Sequence, residues 1–484
     1  MSDLKSFLST WQLYLLLVVT LVFEVWYLPS FQLNEFDEGR FTANAFEMLH
    51  NGDYINLHYM HEPDEWVARP PLKSWLIIAG YKLLGYGIWG ARFSSICAIL
   101  FFMVYCFRLS TDFFSKSWSL LICLLLIGSK GIIGFHVGRS ADMDAELIFF
   151  LTAFLYHFVQ YLFFEKKRHA IYWGVFLGLS FLLKTTASLY FLPGIFLFLL
   201  FSKRLKNILM DKYFWLGSSI YIFCVLMWFT IVLFFGTTYK QGTYAGDNAW
   251  ETMIIYDTWM RFTSSHFDGH PVEKNWAFFV HTLDSRFNIW NYFAYAGILF
   301  WGYLVFKKSK IASMKGDFLL LCLCVLIPPA ILLTFGMHKL DWYAAPTLFL
   351  LAVFAVFFVE NIAAKWKWFT YLVLATLGFT LVRQLDHLKS TSNNQTQIEM
   401  MLRNESFLKK RNIYFQKSTP SNVYTWICWY YPQAIMVEAL PADLKKGDLV
   451  IGLKHPNEEM AGILTKKDAF ATSSTCETFI AEVK

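Results

Sequence analysis

Long apolar runs that recur along the chain, separated by short charged segments, constrain its fold more than any other feature. Most of them are about 20 residues long, the length that a helix needs to cross the hydrocarbon core of a bilayer. With 56% hydrophobic and only 16% charged residues, the 484-residue chain would expose too much apolar surface as a soluble protein. We predict an all-α polytopic membrane protein with about eleven transmembrane helices, near 8–29, 88–109, 117–136, 145–164, 170–183, 188–201, 213–235, 287–306, 317–335, 342–360 and 366–384. The shorter apolar piece Leu72–Leu84 predicts a re-entrant or interfacial helix.

Lysine and arginine concentrate in alternate connecting loops, which predicts the topology. The loops near 108–116, 165–168, 203–212, 307–315 and 365–367 carry them, and the positive-inside rule places these loops in the cytoplasm. Two long loops, 31–71 and 236–286, and the C-terminal tail then lie on the external face. We expect residues 1–384 to form the transmembrane domain and 385–484 a small external α/β domain, with strands near 422–429 and 448–453.

The formal net charge of +6 does not indicate a nucleic-acid partner, because the sequence has no basic patch interleaved with aromatic residues outside the apolar runs. Six of the eight cysteines lie inside apolar runs, where they are expected to be small core residues. Cys428 and Cys476 lie in polar sequence, and a disulfide between them is an open alternative if the tail is in an oxidising compartment.

The first long loop carries acidic and basic side chains next to the membrane. It holds Asp-Glu-Gly-Arg-Phe at 37–41, Gly-Asp-Tyr at 52–54 and Arg-Pro-Pro-Leu at 69–72. A carboxylate beside a low-dielectric cleft acts as a general base when burial raises its pKa. The double proline stiffens the backbone after Arg69, whose guanidinium can bind phosphate oxygens in pairs. The residues alone are also compatible with two other interpretations. The acidic segment can be a solvated loop, and Arg69 can contact lipid headgroups.

These three motifs, in this order, resemble the first external loop of the C-fold (GT-C) glycosyltransferases, specifically the bacterial family of lipid A aminoarabinose transferase and protein O-mannosyltransferase. That family has Asp-Glu-x-Arg-Tyr, Gly-Asp-Trp and Lys-Pro-Pro-Leu at these places. Weaker similarities follow at 139–144 (Arg-Ser-Ala-Asp-Met-Asp), 184–186 (Lys-Thr-Thr) and 338–346 (His-Lys-Leu-Asp-Trp-Tyr-Ala-Ala-Pro). Two departures from the family are Arg69, where the family has lysine, and Thr185-Thr186, where it has Gly-Pro.

The resemblance implies a catalytic transmembrane domain that transfers one sugar from a polyprenyl-phosphate donor with inversion, in a bacterial inner membrane with its catalytic loops and tail in the periplasm. It implies catalytic roles for Asp37, either as the base or as a carboxylate that positions the acceptor, and for Glu38 and Asp144. The expected ligands of the donor phosphate are Arg69, Lys339, Lys184 and Arg139. The expected substrate-binding residues are Arg40, Tyr343, His266 and His270. A divalent cation, held by the acidic loops or by His266, Asp268 and His270, stays an alternative.

Other functions remain open at the level of sequence. The acceptor is expected to be a lipid or a glycan, and protein Ser/Thr is the alternative. A transporter or flippase of lipid-linked sugars would place charged pairs deep in several helices, whereas here the charges cluster at external helix ends. A non-catalytic membrane subunit would not need Asp37, Arg69 and Lys339 on one face. Glu24, near the external end of the first helix, is expected either to have a functional partner or to reach the interface.

Overall fold

A computed structural model gives the fold of the protein. It describes residues 10–31, 33–64, 69–236, 255, 258–260, 263–264, 266–267, 270–271, 275–307, 313–391, 412–417, 419–437, 445–446, 448–453, 464–471 and 477–483. The helices of the membrane part are α1 Trp11–Val25, α2 Asp37–Asn51, α3 Leu72–Leu84, α4 Ile88–Thr111, α5 Lys116–Ile127, α6 Asp144–Phe163, α7 His169–Lys184, α8 Leu192–Phe201, α9 Leu205–Leu209, α10 Lys212–Phe235, α11 Phe278–Phe287, α12 Trp290–Phe306, α13 Ser313–Phe335, α14 Ala345–Lys365 and α15 Lys367–Thr391.

The described part of the chain contains fewer membrane-length helices than the eleven predicted. Eight are long and apolar enough to span a bilayer, or nine if the bent pair α11 and α12 counts as one span. The run predicted at 117–136 gives only the 12-residue α5, because the chain leaves the helix at Gly128. The two runs predicted at 170–183 and 188–201 form one continuous stretch, His169–Phe201.

That continuous stretch reverses direction in its middle. A 3-10 segment, Thr185–Phe191, separates α7 from α8, and Thr185 begins it with a positive φ of 40°. Lys167, just before α7, lies over the ring of Tyr161, and Arg204, just after α8, lies over the ring of Phe163. Because Tyr161 and Phe163 both belong to the last turn of α6, the two ends of the stretch lie at the same end of the bundle.

The loops that the positive-inside rule grouped together do meet at one end of the bundle, which we call the basic end. Asp211 caps the start of α10 there by accepting a hydrogen bond from the backbone N–H of Tyr213. Four polar contacts join the loops at this end, namely Gln160 with Asp112, Lys167 with Asp211, Arg204 with Asp317, and Lys315 with Glu360.

The opposite end, which we call the distal end, collects the segments expected to be external. There the N-terminus of α2, the segment 129–143, the end of α7 and the 3-10 turn Asp341–Ala344 lie together. Helix α3 has the predicted bounds and is too short to span. It is fixed to the bundle because Lys73 ion-pairs with Glu146 at 2.7 Å, both side chains being almost fully buried.

The tail forms an α/β unit, as predicted. Its strands are β5 Ile413–Gln416, β6 Ile435–Val437, β7 Leu449–Leu453, β8 Leu464–Ala471 and β9 Glu477–Val483, and the sheet order is β6-β5-β7-β9-β8. Strand β5 pairs in parallel with β6 and β7, whereas β9 pairs antiparallel with β7 and β8. The shorter β1 His58–Tyr59 and β2 Glu62–Pro63 make a hairpin in the first loop, and β3 His266–Phe267 pairs with β4 His270–Pro271.

One element of the tail was predicted wrongly. The segment expected to be a strand at 422–429 is instead helix α16, Ser421–Tyr430. Aromatic and β-branched residues suggested a strand, but all but one of the residues of this helix are buried, so packing overrides the local preference. The boundary predicted at residue 384 lies inside α15, which continues to Thr391.

Helix α16 packs directly on α2, the helix that carries the first acidic motif. A Cβ atom on Gly39 would lie 2.6 Å from the backbone nitrogen of Asn422, so the approach requires glycine. Thr425 Oγ1 donates to the carbonyl of Gly39 at 2.7 Å, and Tyr424 donates to Glu47 Oε1 at 2.5 Å. The tail therefore helps to fix the position of α2.

Candidate functional site

A cavity of about 190 Å³ opens at the distal end of the bundle. Its walls come from segments that are far apart in the sequence, including the segment before α3, the starts of α6 and α14, and the turn after α7. Four residues predicted for the site line it together: Arg69, Asp144, Lys184 and Tyr343. His338, Tyr190, Thr185, Thr186 and Thr258 add further polar atoms.

Lys184 and Asp144 form the central ion pair of this cavity. Lys184 Nζ lies 2.7 Å from Asp144 Oδ1, and both side chains keep a small exposed fraction. The same ammonium group lies 5.1 Å from the centre of the Tyr343 ring. Tyr190 donates a hydrogen bond of 2.6 Å to the Tyr343 carbonyl. Lys184 ends α7 and Asp144 begins α6, so each charge also has the sign that the local helix dipole favours at that end.

The segment 338–346 is fixed against the loop that precedes α6. Arg286 pairs with Asp341 through Nε–Oδ2 and Nη2–Oδ1 contacts of 2.7 and 2.6 Å, and it donates to the Phe135 carbonyl at 3.2 Å. The ring of Trp342 stacks on His136 with 3.7 Å between the centroids. These contacts hold Tyr343 and His338 at the cavity.

Next to the cavity, Asp37, His136 and Asp142 form a second polar cluster. Their ligand atoms all lie within 4.8 Å of one another. His136 Nδ1 lies 3.0 Å from Asp142 Oδ2, which also accepts a 2.5 Å hydrogen bond from Ser140. Asp37 is half-buried, whereas the other two are buried. Imidazole nitrogen and carboxylate oxygen are ligands that several divalent cations accept, so these three are the described residues able to hold one.

The charges in this cluster act on one another. Burial would lower the pKa of His136, but the carboxylates of Asp142, Asp144 and Asp37 outweigh burial and raise it. Burial raises the pKa of Asp142, which lies close to the charges of Glu38 and Asp37. A protonated His136 therefore interacts favourably with the three carboxylates around it.

Glu38 does not fit the catalytic role expected for it. Its side chain is fully buried and accepts from Arg92 Nε at 2.7 Å, from the backbone of Ala141 at 2.7 Å and from the backbone of Asn34 at 2.8 Å. Burial alone would raise the pKa of Glu38, but Arg92 and these hydrogen bonds lower it. The carboxylate is a structural link between α2, α4 and the loop before α6.

Arg139 does not fit the phosphate role expected for it, because its side chain is 1% exposed. Its Nη1 donates to the carbonyls of Phe23 and Glu24, each at 3.0 Å. Its backbone N–H donates to Glu24 Oε2 at 3.1 Å. Glu24 is fully buried, so its partner is Arg139 and it does not reach the interface.

Arg40 and Lys339 also lie outside the lining of the cavity. Arg40 bonds Asp64 through Nε, with distances of 3.0 and 2.8 Å, and lies over the Tyr59 ring, so it holds the β1–β2 hairpin on α2. Lys339 donates to the carbonyls of Asn275 and Thr334, and burial lowers its pKa. His338, its neighbour, takes the place on the cavity wall.

His266 and His270 belong to the β3–β4 hairpin, and their predicted roles stay predictions because only their backbone is described. Asp268 and Cys476 lie outside the described residues, so the second metal alternative and the disulfide stay open. Cys428 is buried in α16.

Several residues that build the site were not predicted from the sequence. Arg92, Lys73 and Glu146 are charges inside or beside apolar runs, and such charges need a partner, which is the signal that singled out Glu24. His136 and Arg286 gave no local signal, because they meet their partners only in the folded chain. Trp342 lies in the 338–346 motif, but no role was predicted for it.

Sequence similarity to a known family covers the part of the chain that contains Arg69, Asp144 and Lys184. The family described as dolichyl-phosphate-mannose-protein mannosyltransferase matches residues 68–229. An undecaprenyl phosphate-alpha-4-amino-4-deoxy-L-arabinose arabinosyl transferase of Pseudomonas fluorescens is 27% identical over 142 residues, 29% of this chain and 25% of its own. An uncharacterized protein of Aquifex aeolicus is 27% identical over 195 residues, 40% of this chain and 38% of its own. The matches thus span well under half the length of these curated relatives.

Similarity of fold extends much further than similarity of sequence. ArnT from Cupriavidus metallidurans, solved with bound undecaprenyl phosphate, superposes with a TM-score of 0.70 over 98% of both chains at 14% identity. The Archaeoglobus fulgidus oligosaccharyltransferase, in a complex with Zn and sulfate, gives a TM-score of 0.54 over 87% of this chain and 62% of its own at 12% identity. Segment 68–229 of this multi-pass membrane protein is thus similar to the protein mannosyltransferase family, and the chain shares its fold with ArnT.

Proposed function

We propose that the chain is an inverting glycosyltransferase that moves a single sugar from a polyprenyl-phosphate donor to a lipid or glycan acceptor. The observation that carries the proposal is the convergence of Arg69, Lys184 and His338 on one cavity that adjoins the carboxylate of Asp37. Cationic groups around a cavity at a membrane surface suit a lipid phosphate. The names of the arabinosyl transferases and of the undecaprenyl phosphate complex support this donor class.

In the proposed reaction, the acceptor hydroxyl oxygen attacks the anomeric carbon from the side opposite the phosphate. The carbon–oxygen bond to the phosphate breaks, and the phosphate leaves with the electron pair. Arg69 and Lys184 stabilise the charge that develops on it, while Asp37 takes the proton of the hydroxyl. A phosphate needs little acid assistance as a leaving group, so one base and positioned cations suffice.

The remaining groups position the reacting ones. Asp144 holds Lys184 at the cavity through their 2.7 Å contact, and Tyr343 lies under the same ammonium group. His136 lies beside Asp37, with their ligand atoms within 4.8 Å of each other. We place the distal end on the periplasmic side of a bacterial inner membrane, because the basic loops gather at the opposite end.

The test is transfer of labelled sugar from a panel of polyprenyl-phosphate sugars to envelope fractions by the purified full-length protein in nanodiscs. Asp37→Asn is run in parallel, with Asp386→Asn as the matched control, since Asp386 is exposed at the same end and lines neither the cavity nor the cluster. Transfer by wild type and Asp386→Asn, without transfer by Asp37→Asn, supports the proposal. Equal transfer by all three proteins would show that Asp37 is not the base.

A second acceptor class follows from the matched family, whose description is a protein mannosyltransferase. Peptides with serine and threonine therefore belong in the panel, and the labelled product identifies the acceptor. Labelled lipid that crosses vesicles without any transfer would instead favour a flippase. Loss of transfer on chelation, restored by Mg²⁺ or Mn²⁺, would assign a cation to Asp37, His136 and Asp142.

A further inference from the structure

The backbone turn directly before Asp37 has a conformation that phenylalanine rarely adopts. Phe36 has a φ of 66° and a ψ of −114°, and the next residue, Asp37, begins α2. For a residue with a Cβ atom this region is unfavourable, and it persists only where surrounding contacts hold the backbone. The Phe36 side chain is 72% exposed, so its own packing does not hold the turn. The contacts that hold Phe36 therefore also set where the Asp37 side chain leaves the backbone.

Two polar side chains of the tail bind the carbonyl groups of this turn. Ser421 Oγ donates to the Phe36 carbonyl at 3.1 Å, and Asn422 Nδ2 donates to the Leu33 carbonyl at 3.3 Å. Both donors come from the first turn of α16, and both residues are buried. Because the contact is buried, loss of either donor leaves its carbonyl with one hydrogen bond fewer that water does not readily replace.

Other hydrogen bonds of the turn are made by α2 itself. The Phe36 carbonyl also accepts from the backbone N–H of Arg40 at 2.9 Å, and the Asn34 carbonyl accepts from the backbone N–H of Gly39 at 3.1 Å. These bonds fix the shape of the turn relative to the helix that follows it. The two donors of α16 instead fix the turn to a part of the chain almost 400 residues away.

The docking of α16 on α2 has further contacts, which lie at a greater distance from the turn along α2. Thr425 Oγ1 donates to the Gly39 carbonyl at 2.7 Å, and Tyr424 donates to Glu47 Oε1 at 2.5 Å. Loss of a single hydroxyl at the turn leaves these contacts in place. An effect of that loss on the reaction is therefore separable from an effect of undocking the tail.

We propose that Ser421 and Asn422 are positioning residues, which hold the turn at Phe36 so that the carboxylate of Asp37 stays beside His136. This inference rests on the proposed role of Asp37 as the base. Neither tail residue is among the described residues that line the donor cavity, so their influence reaches the reaction through Asp37. The tail thereby sets the orientation of the base without contacting the donor.

The first measurement is hydrogen–deuterium exchange of the purified full-length protein in nanodiscs, which needs no donor. Ser421→Ala removes one hydroxyl from the turn, and Thr425→Val removes one from the same helix as the matched control. We expect the amides of residues 33–40 to exchange about five- to tenfold faster in Ser421→Ala than in wild type, which is the protection that one hydrogen bond contributes. Thr425→Val should leave them unchanged, because Thr42 still donates to the Gly39 carbonyl.

The second measurement is kcat and the donor KM, with the polyprenyl-phosphate sugar that gives labelled product in the panel above. Ser421→Ala should lower kcat about 10- to 100-fold at an unchanged donor KM, because displacement of a base by about 1 Å has an effect of that size while the donor cations are untouched. Asn422→Ala should act in the same direction, and Thr425→Val should keep the kcat of wild type. In the Asp37→Asn background, Ser421→Ala should reduce the residual transfer no further.

The outcomes separate this inference from the proposed function. Unchanged exchange in Ser421→Ala and Asn422→Ala would overturn the inference, as would faster exchange with full kcat. An equal loss of kcat in Thr425→Val, or a full loss caused by Ser421→Ala in the Asp37→Asn background, would also overturn it. Full transfer by Asp37→Asn alone would instead refute the proposed base, whatever the exchange data show about the turn.

Discussion

Asp37 and Glu38 are neighbours in one motif, yet they lie in two different environments. Asp37 is half-buried beside His136 and Asp142, at the edge of a cavity. Glu38 is fully buried, and both of its oxygens accept hydrogen bonds from Arg92. The same contrast separates the Lys184–Asp144 pair, which lines the cavity, from the Lys73–Glu146 pair, which is sealed inside the bundle.

The two environments show that this membrane protein has two kinds of polar groups, those that a substrate can reach and those that hold helices together. A group that exchanges protons or holds a substrate must be reachable, so its pairing has to stay incomplete or open to the cavity. A buried ion pair instead fixes the relative position of helices, and removal of one partner leaves an uncompensated charge in a low dielectric. Four variants test this division.

Removal of one charge from a fully buried ion pair should have the largest effect on stability. Arg92→Gln leaves the carboxylate of Glu38 without its cation, and we expect it to cost about 3–5 kcal/mol of stability. Chemical unfolding in detergent, followed by tryptophan fluorescence, measures this cost. Arg383→Gln, which changes an arginine of the lipid-facing α15, is the matched control and should cost under about 1 kcal/mol. Similar stabilities for both variants would contradict a structural role of the Glu38–Arg92 pair.

Lys184→Gln should reduce donor use while leaving the fold intact. It removes the ammonium group that we assign to the donor phosphate, so KM for the donor should rise about 10- to 100-fold. Lys184→Arg keeps the charge and should recover part of the affinity. Steady-state kinetics with the polyprenyl-phosphate sugar measures both, and an unchanged KM in Lys184→Gln would remove this residue from the donor site.

Gly39→Ala tests the contact between the tail and α2. The added methyl group would lie 2.6 Å from the backbone nitrogen of Asn422, so α2 and α16 must separate. Overpacking of this kind costs about 1–3 kcal/mol. Limited proteolysis should then cleave the tail faster in Gly39→Ala than in Ala43→Gly, a change of similar size in the same helix. Equal cleavage rates would show that α16 does not depend on this contact.

His136→Gln should change the pH dependence of stability. Because the carboxylates around His136 raise its pKa against the effect of burial, its charged form stabilises the fold. That contribution is complete below the ordinary histidine pKa of about 6.5 and is lost as the pH rises through the raised value. The stability difference between wild type and His136→Gln should therefore be larger at acid pH than at alkaline pH. A difference independent of pH would contradict a charged His136.

The sequence predicted well those elements that depend on residues close together in the chain. Apolar run lengths placed most of the membrane helices, the arginine and lysine pattern grouped the loops of the basic end, and the short α3 has the predicted bounds. Arg69, Asp144, Lys184 and Tyr343 meet at one cavity, as their shared face suggested.

What sequence could not decide depends on tertiary contacts. The same type of residue can be catalytic or structural, and only the burial of Glu38 and Arg139 separates them from their reachable neighbours. The helix α16 adopts its conformation because it packs on α2, against the preference of its aromatic residues for a strand. The partners of His136 lie on three segments, so no spacing in the sequence could reveal them.

The central claim is that Asp37 performs chemistry while Glu38 maintains structure, and one paired measurement tests it. Asp37→Asn and Glu38→Gln are each assayed for kcat of sugar transfer and for Tm in the same nanodiscs. We predict that Asp37→Asn lowers kcat about 10²- to 10⁴-fold at an unchanged Tm, as loss of a general base does. Glu38→Gln should lower Tm clearly. Full kcat in Asp37→Asn, or a Tm in Glu38→Gln equal to that of wild type, would contradict the account.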